Sequence, residues 1–146
     1  MVTSGWFHNT RVSPDWLKEH YPTFPEYAGK VGGFWAKDVR AGRDFGRDHL
    51  EGYLEVRYED LIADPAREAA RILAFLDVDA DVAAVADCIE AASFERVSGG
   101  RKTGEESRAS HFRKGAVGDW RNHFGADAEA AFAKEAGAML RELGYE

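Results

Sequence analysis

Residues 112–124 read Phe112-Arg113-Lys114-Gly115-Ala116-Val117-Gly118-Asp119-Trp120-Arg121-Asn122-His123-Phe124. Two adjacent cations, a glycine beside them, a second glycine and an Asp-Trp pair follow in quick succession. An arginine presents a planar fork of donors and a lysine a compact point charge. A glycine such as Gly115 lets a backbone N–H come close to a ligand and takes torsions that other residues avoid. Together these groups describe a socket for a phosphate-like anion. Arg-Lys-Gly alone would equally describe a solvated basic turn. The Gly-Asp-Trp-Arg-Asn-His-Phe continuation makes the run far more specific.

The rest of the chain sets bounds on that reading. At 146 residues it is expected to be one domain, 1–146, large enough for a real core. Hydrophobic residues are 45% and aromatics 12%, a globular composition rather than a disordered one. The net charge of −7 argues against a broad nucleic-acid footprint. Residues 94–123 nevertheless hold seven Lys/Arg against four acids, a local excess of three positive charges in an acidic protein. Such an island suits a small, highly charged anion better than a long polyanion. Cys88 is the only cysteine, so no intrachain disulfide can form and a reducing cytoplasm is the expected setting. Neither CxxC nor HExxH occurs, so no metal is expected. No apolar run approaches membrane-spanning length, and the N-terminus does not read as a signal peptide.

Local patterns give mostly helices. Ser13-Pro14-Asp15 reads as an N-cap with proline at the first helical position, opening a helix through about His20. Val31, Phe34, Trp35 and Val39 lie at helical spacing, with a stop at Gly42. Leu54, Val56 and Tyr58 alternate with Glu55 and Arg57, the one clear strand signal, over Tyr53 to Tyr58. Asp64-Pro65 starts a helix with Ala69, Ile72, Leu73 and Leu76 on one stripe. A second such helix spans about 80–91, with Val82, Val85, Ala86 and Ile89. Residues 98–111 read as a polar loop. The last helix spans about 127–143, with Phe132, Ala136, Met139, Leu140 and Leu143 inward and Gly144 ending it. A lone strand cannot satisfy its own backbone, so Tyr53 to Tyr58 is expected to pair with another strand, in this chain or in a partner.

These motifs, in this order, resemble the sulfotransferases that use 3′-phosphoadenosine-5′-phosphosulfate (PAPS). That family ends in an RKGxxGDWxNxF signature. It has a strand running into Tyr-Glu-Asp-Leu before an Asp-Pro helix, here Val56 to Pro65, and a Thr-Ser-Phe turn, here Ala92-Ser93-Phe94. The Leu140-Arg141-Glu142-Leu143-Gly144-Tyr145 ending also looks like that of many bacterial members. The resemblance runs from about Trp35 to the C-terminus. It implies an α/β chain: the C-terminal part of a P-loop-type, three-layer sulfotransferase fold, mostly helical here with one clear strand. It also implies a site for PAPS, or for the product adenosine 3′,5′-bisphosphate, formed by Tyr58, Ser93, Phe94, Arg113, Lys114 and Gly115. Tyr58 would hydrogen-bond the adenine, Phe94 would stack on it, and Arg113, Lys114 and the Gly115 N–H would hold the 3′-phosphate. On the residues alone, Tyr58 also fits a core aromatic with a wet hydroxyl, and Phe94 an ordinary core ring. Trp120 reads as packing and Asp119 as a helix cap.

Three departures qualify the resemblance. Ala92 stands where many members have a threonine. Arg121, Gly125, Ala126 and Ala130 do not match the KxxxTVxxxE dimerisation segment. No YPKSGTTW-like phosphosulfate loop appears, and His8, His20 and His111 are outside the family's catalytic context, so no catalytic residue is assigned. The expectation is the nucleotide-binding portion of an enzyme that transfers a sulfuryl group from PAPS to a hydroxyl or amine acceptor, inactive in isolation. It would be complemented by an N-terminal half or would self-associate through its strand edge. A bisphosphate-binding module without catalysis is the alternative. The aromatics Trp6, Phe7, Trp16, Tyr21, Phe24 and Tyr27 fit either an acceptor pocket or plain core.

Overall fold

The computed structural model of the chain describes residues 2–79 and 81–145. Its helices are α1 (Val2–Val12), α2 (Pro14–His20), α3 (Phe24–Asp48), α4 (Tyr58–Ala63), α5 (Pro65–Phe75), α6 (Val82–Ala92), α7 (Phe94–Val97) and α8 (Ala126–Glu142). Two compact units result: Met1–Phe45 with Gly118–Glu146, and Gly46–Val117.

In the first unit, short-range chemistry sets the helix ends. Pro14 opens α2 as expected, although the Ser13 hydroxyl makes no capping bond. Before α3, Thr23 and Glu26 form a reciprocal capping box: the Glu26 carboxylate accepts from the Thr23 N–H at 3.0 Å, and the Thr23 hydroxyl accepts from the Glu26 N–H at 3.4 Å. Pro25 sits in that first turn, where a missing N–H costs nothing. Gly42 does not stop α3, which runs on to Asp48. At the end of α8, Gly144 turns to φ +71°. Its N–H bonds the Arg141 carbonyl and the Tyr145 N–H the Leu140 carbonyl, a Schellman closure.

The core of this unit is Val2, Leu17, Tyr27, Ala28 and Ala128, packed by Trp6, Tyr21, Phe24, Val31, Phe124 and Phe132. Its rings meet edge-on, Phe24 against Phe124 at 5.2 Å and Trp6 against Phe24 at 5.5 Å between centroids. Trp6, Tyr21, Phe24 and Tyr27 are therefore spent on packing. Trp16 is half exposed and stacks on His20. Ala136, Met139 and Leu143 are buried on α8 as expected. Helices α3 and α8 approach closely at Gly29 and Gly32, where an added Cβ on Gly32 would lie 2.8 Å from the Phe132 ring.

In the second unit, Asp64 caps α5 by accepting from the Arg67 N–H at 3.1 Å, and Asp81 caps α6 by accepting from the Ala84 N–H at 2.7 Å. The apolar stripe of α5 is only half buried and Leu76 is exposed. The fully buried residue of that helix is Glu68, held by Arg67 at 3.0 Å and by Arg71.

The three-layer α/β arrangement with a strand at Tyr53 to Tyr58 is not formed. Among the described residues there are helices and turns but no strand. The two ends of that stretch are extended, Tyr53 at φ −138°, ψ 126° and Arg57 at φ −92°, ψ 138°. Extension is the part of a strand that local sequence controls. A ladder needs a second strand, and none lies beside this one among the described residues. Tyr58 accordingly begins α4 rather than ending a strand.

Replacing Gly32 with valine drives a branched side chain into Phe132, and overpacking of this kind costs about 1–3 kcal/mol. Chemical denaturation of Gly32→Val is expected to show a lower midpoint with an unchanged slope.

Candidate nucleotide-binding loop

Five of the six expected site residues lie on two segments that meet in the second unit. Ser93 ends α6 and caps the short helix α7, its hydroxyl accepting from the Arg96 N–H at 3.4 Å. Phe94, next in the chain, is half buried. Gly115 sits beside its ring. An added Cβ there would fall inside the ring's van der Waals envelope, and the backbone is at φ +64°. Glycine is thus required on two independent grounds, torsion and space. Arg113 and Lys114 precede it in the same turn.

The loop has no ladder and is held by local bonds. The Lys114 carbonyl accepts from the Gly104 N–H at 2.9 Å, and the Arg113 carbonyl from the Ser107 N–H at 2.9 Å. The Arg113 side chain is 8% exposed, and its Nη1 donates to Glu106 Oε1 at 2.9 Å. Arg108 Nε reaches the same oxygen at 3.4 Å. A nearly buried guanidinium beside a half-buried lysine keeps positive charge where solvent screens it least. Glu106 orients the fork through an ion pair with Arg113.

Tyr58 is not brought to this cluster by any bond or ring contact. It lies on the first turn of α4, 48% exposed, and no hydrogen bond or ring contact joins it to Phe94 or to residues 113–115. The first turn of a helix and the end of a strand aim a side chain differently, which is why the expected strand mattered.

Sequence reasoning also missed Arg101. Its Nη1 donates to the carbonyls of Glu105 and Arg113, both at 3.0 Å. Nη2 donates to Ser110 Oγ at 2.9 Å and to the Phe112 carbonyl. The guanidinium carbon lies 5.3 Å from the Phe94 ring centroid. The available signal was physical: a long loop without regular structure must find donors for its carbonyls, and an arginine carries five.

In the first unit, Gly118 occupies the cap of the turn Asp119–Asn122, the place expected of Asp119. The buried Asp119 carboxylate accepts from Asn122 at 2.9 Å and pairs with His123 at 3.1 Å. Trp120 is less buried than packing alone would ask, at 44% exposed, with Arg121 4.7 Å over its ring. An open groove of about 670 Å³ is lined by His20, Glu26, Lys30, Phe34, Lys134 and Glu135, all of this unit. Its mixed charges favour no single ligand. Among the described residues there is no cluster able to hold a metal ion, and no helix is long and apolar enough to cross a membrane.

The sequence matches the profile of the "Sulfotransferase domain" family over residues 1–144. The chain belongs to the sulfotransferase family. Among curated proteins it is 30% identical over 144 residues to Sulfotransferase 1C2 of Rattus norvegicus, covering 82% of this chain and 44% of that protein. It is 28% identical over 148 residues to Cytosolic sulfotransferase 1 of Arabidopsis thaliana, covering 88% of this chain and 44% of that protein. The chain thus spans under half the length of these relatives. No solved structure matches it significantly.

Burial pushes the Glu106 carboxyl up, but hydrogen bonds and charge from Arg113 and Arg108 outweigh it and hold the group below its ordinary 4.5. A depressed folded value means the stabilisation is full above the unfolded value and is lost as pH falls through the folded one. The wild-type chain is therefore expected to melt above Glu106→Gln at neutral pH. Thermal unfolding followed from pH 7 downward should show that gap closing as the pH drops below 4.5.

Proposed function

We propose that this sulfotransferase-family chain binds the adenine nucleotide end of PAPS, and of its product adenosine 3′,5′-bisphosphate, through the loop at 113–115. The observation that carries this reading is the left-handed Gly115 set against the Phe94 ring, directly after Arg113 and Lys114. A ring and two cations in one turn fit the two chemistries of such a ligand, a π-face and a phosphate. The residues present suit it: a nearly buried arginine makes charge-assisted bonds, roughly twice the strength of neutral ones. Base–aromatic stacking contributes about 1–3 kcal/mol. Arg113, Lys114 and the Gly115 N–H would hold the 3′-phosphate, Phe94 would take the base, and Ser93 would fix the start of α7. Tyr58 keeps its proposed place at the adenine only if α4 or its own side chain shifts on binding.

PAPS, when bound, supplies the sulfuryl group, and a hydroxyl acceptor receives it. Transfer needs an anchored donor, charge stabilisation at the moving group and a positioned nucleophile. This chain provides the first. No YPKSGTTW-like segment is present in it to grip the 5′-phosphosulfate. We therefore read the chain as a nucleotide-binding portion whose catalysis depends on complementary polypeptide, in a cytoplasmic setting.

Calorimetric titration with adenosine 3′,5′-bisphosphate tests the reading. One site per chain is expected. Arg113→Ala and Lys114→Ala each remove a charge-assisted bond of about 1.5–3 kcal/mol, so each should weaken binding about tenfold or more. Absence of heat with the folded wild-type chain would overturn the reading. Binding without sulfuryl transfer to a phenol or alcohol would favour the non-catalytic module.

A further inference from the structure

We propose that Arg101 is the positioning residue of this nucleotide site. It touches no ligand atom and instead turns the backbone N–H groups of residues 113 and 114 toward the ligand side. The inference rests on the nucleotide reading above.

The geometry begins with where the guanidinium is fixed. Both its ends are held. At the backbone, the Arg101 N–H donates to Ser98 Oγ at 3.2 Å, and its carbonyl accepts from the same hydroxyl at 3.2 Å. At the tip, four N–H···O bonds reach the carbonyls of Glu105, Phe112 and Arg113 and the hydroxyl of Ser110. The guanidinium carbon lies over the Phe94 ring, 5.3 Å from its centroid. One side chain thus joins the base-stacking ring to the backbone of the anion loop.

The consequence for the loop follows from peptide planarity. No peptide bond is cis. In a trans peptide the C=O of one residue and the N–H of the next point in opposite directions. Arg101 draws the carbonyls of Phe112 and Arg113 toward itself, so the N–H groups of Arg113 and Lys114 point away from it. The Gly104 N–H does the same to the Lys114 carbonyl, which turns the Gly115 N–H away from residue 104. Successive N–H groups turned out of a loop form an anion-binding concavity. In the absence of Arg101 the Phe112 carbonyl loses that donor and the Arg113 carbonyl keeps the Ser107 N–H, in a stretch, 98–118, that carries no helix or strand to hold the pair in common.

Lysine cannot substitute. Its three donors radiate from one nitrogen and cannot reach four separate oxygens in the fixed fork that a guanidinium offers. The role therefore belongs to the planar guanidinium and not to positive charge at this place.

Titration of wild type, Arg101→Gln, Arg101→Lys and Arg113→Ala with adenosine 3′,5′-bisphosphate decides the matter. Each is measured well below its own thermal midpoint, so that loss of stability is separated from loss of affinity. Arg101→Gln and Arg101→Lys are both expected to weaken binding at least tenfold while remaining folded. If Arg101→Gln does not fold, Arg101→Lys decides alone. Arg101→Lys binding within twofold of wild type would overturn the proposal, even where its midpoint is lower. With Arg113→Ala still defective in that case, the nucleotide reading would stand and only Arg101's role would fall. No binding by folded wild type would overturn both.

Discussion

Beside the Phe94 ring the backbone turns through Gly115 at φ +64°, with no room for a side chain. That contact is the constraint from which the rest of the second unit's chemistry follows. It fixes where the chain leaves the Arg113-Lys114 pair and brings an aromatic face to the same turn. It is also made by a loop that has no ladder of its own. Two backbone bonds, Gly104 to Lys114 and Ser107 to Arg113, tie it down together with side chains, and Arg101 and Glu106 act from opposite chemical directions. Arg101 donates to carbonyls, and Glu106 accepts from the Arg113 guanidinium.

Each unit organises itself by a different kind of interaction. In the first, aromatic edges and a glycine approach between α3 and α8 make an apolar core, and exposed pairs such as Arg40–Glu142 at 2.7 Å add little. In the second, few apolar side chains are buried among the described residues, and a carboxylate, Glu68, is fully buried and paired with two arginines of its own helix. Hydrogen-bonded charge carries more of the order there. A polar framework suits an anion site, because donors fixed beforehand need not reorganise on binding.

What was legible in the sequence was local. Asp64-Pro65 announces a helix start, because a cap and its N–H lie three residues apart. Gly144 announces an end for the same reason. The Arg113-Lys114-Gly115 run stood out from residue types alone, and the structure sets its glycine against the Phe94 ring. What escaped depends on distant partners. Gly42 looks like a stop, yet α3 continues through it, since a single glycine costs a helix only about 1 kcal/mol. Alternation at Leu54, Val56 and Tyr58 reads as a strand, but alternation cannot supply a second strand, and Tyr58 turns into α4. Tyr58, whose place at the site comes from the family resemblance, begins α4 instead of ending a strand. Arg101 was invisible for the opposite reason: its partners are carbonyls, which leave no mark in a sequence.

The central claim is that the loop recognises a phosphate on the 3′ position of an adenine nucleotide. The most direct measurement compares calorimetric affinities of the wild-type chain for adenosine 3′,5′-bisphosphate and adenosine 5′-monophosphate, which differ by that phosphate alone. The account predicts a preference of about a hundredfold or more for the bisphosphate, from two charge-assisted bonds of roughly 1.5–3 kcal/mol each. Equal affinities would contradict it.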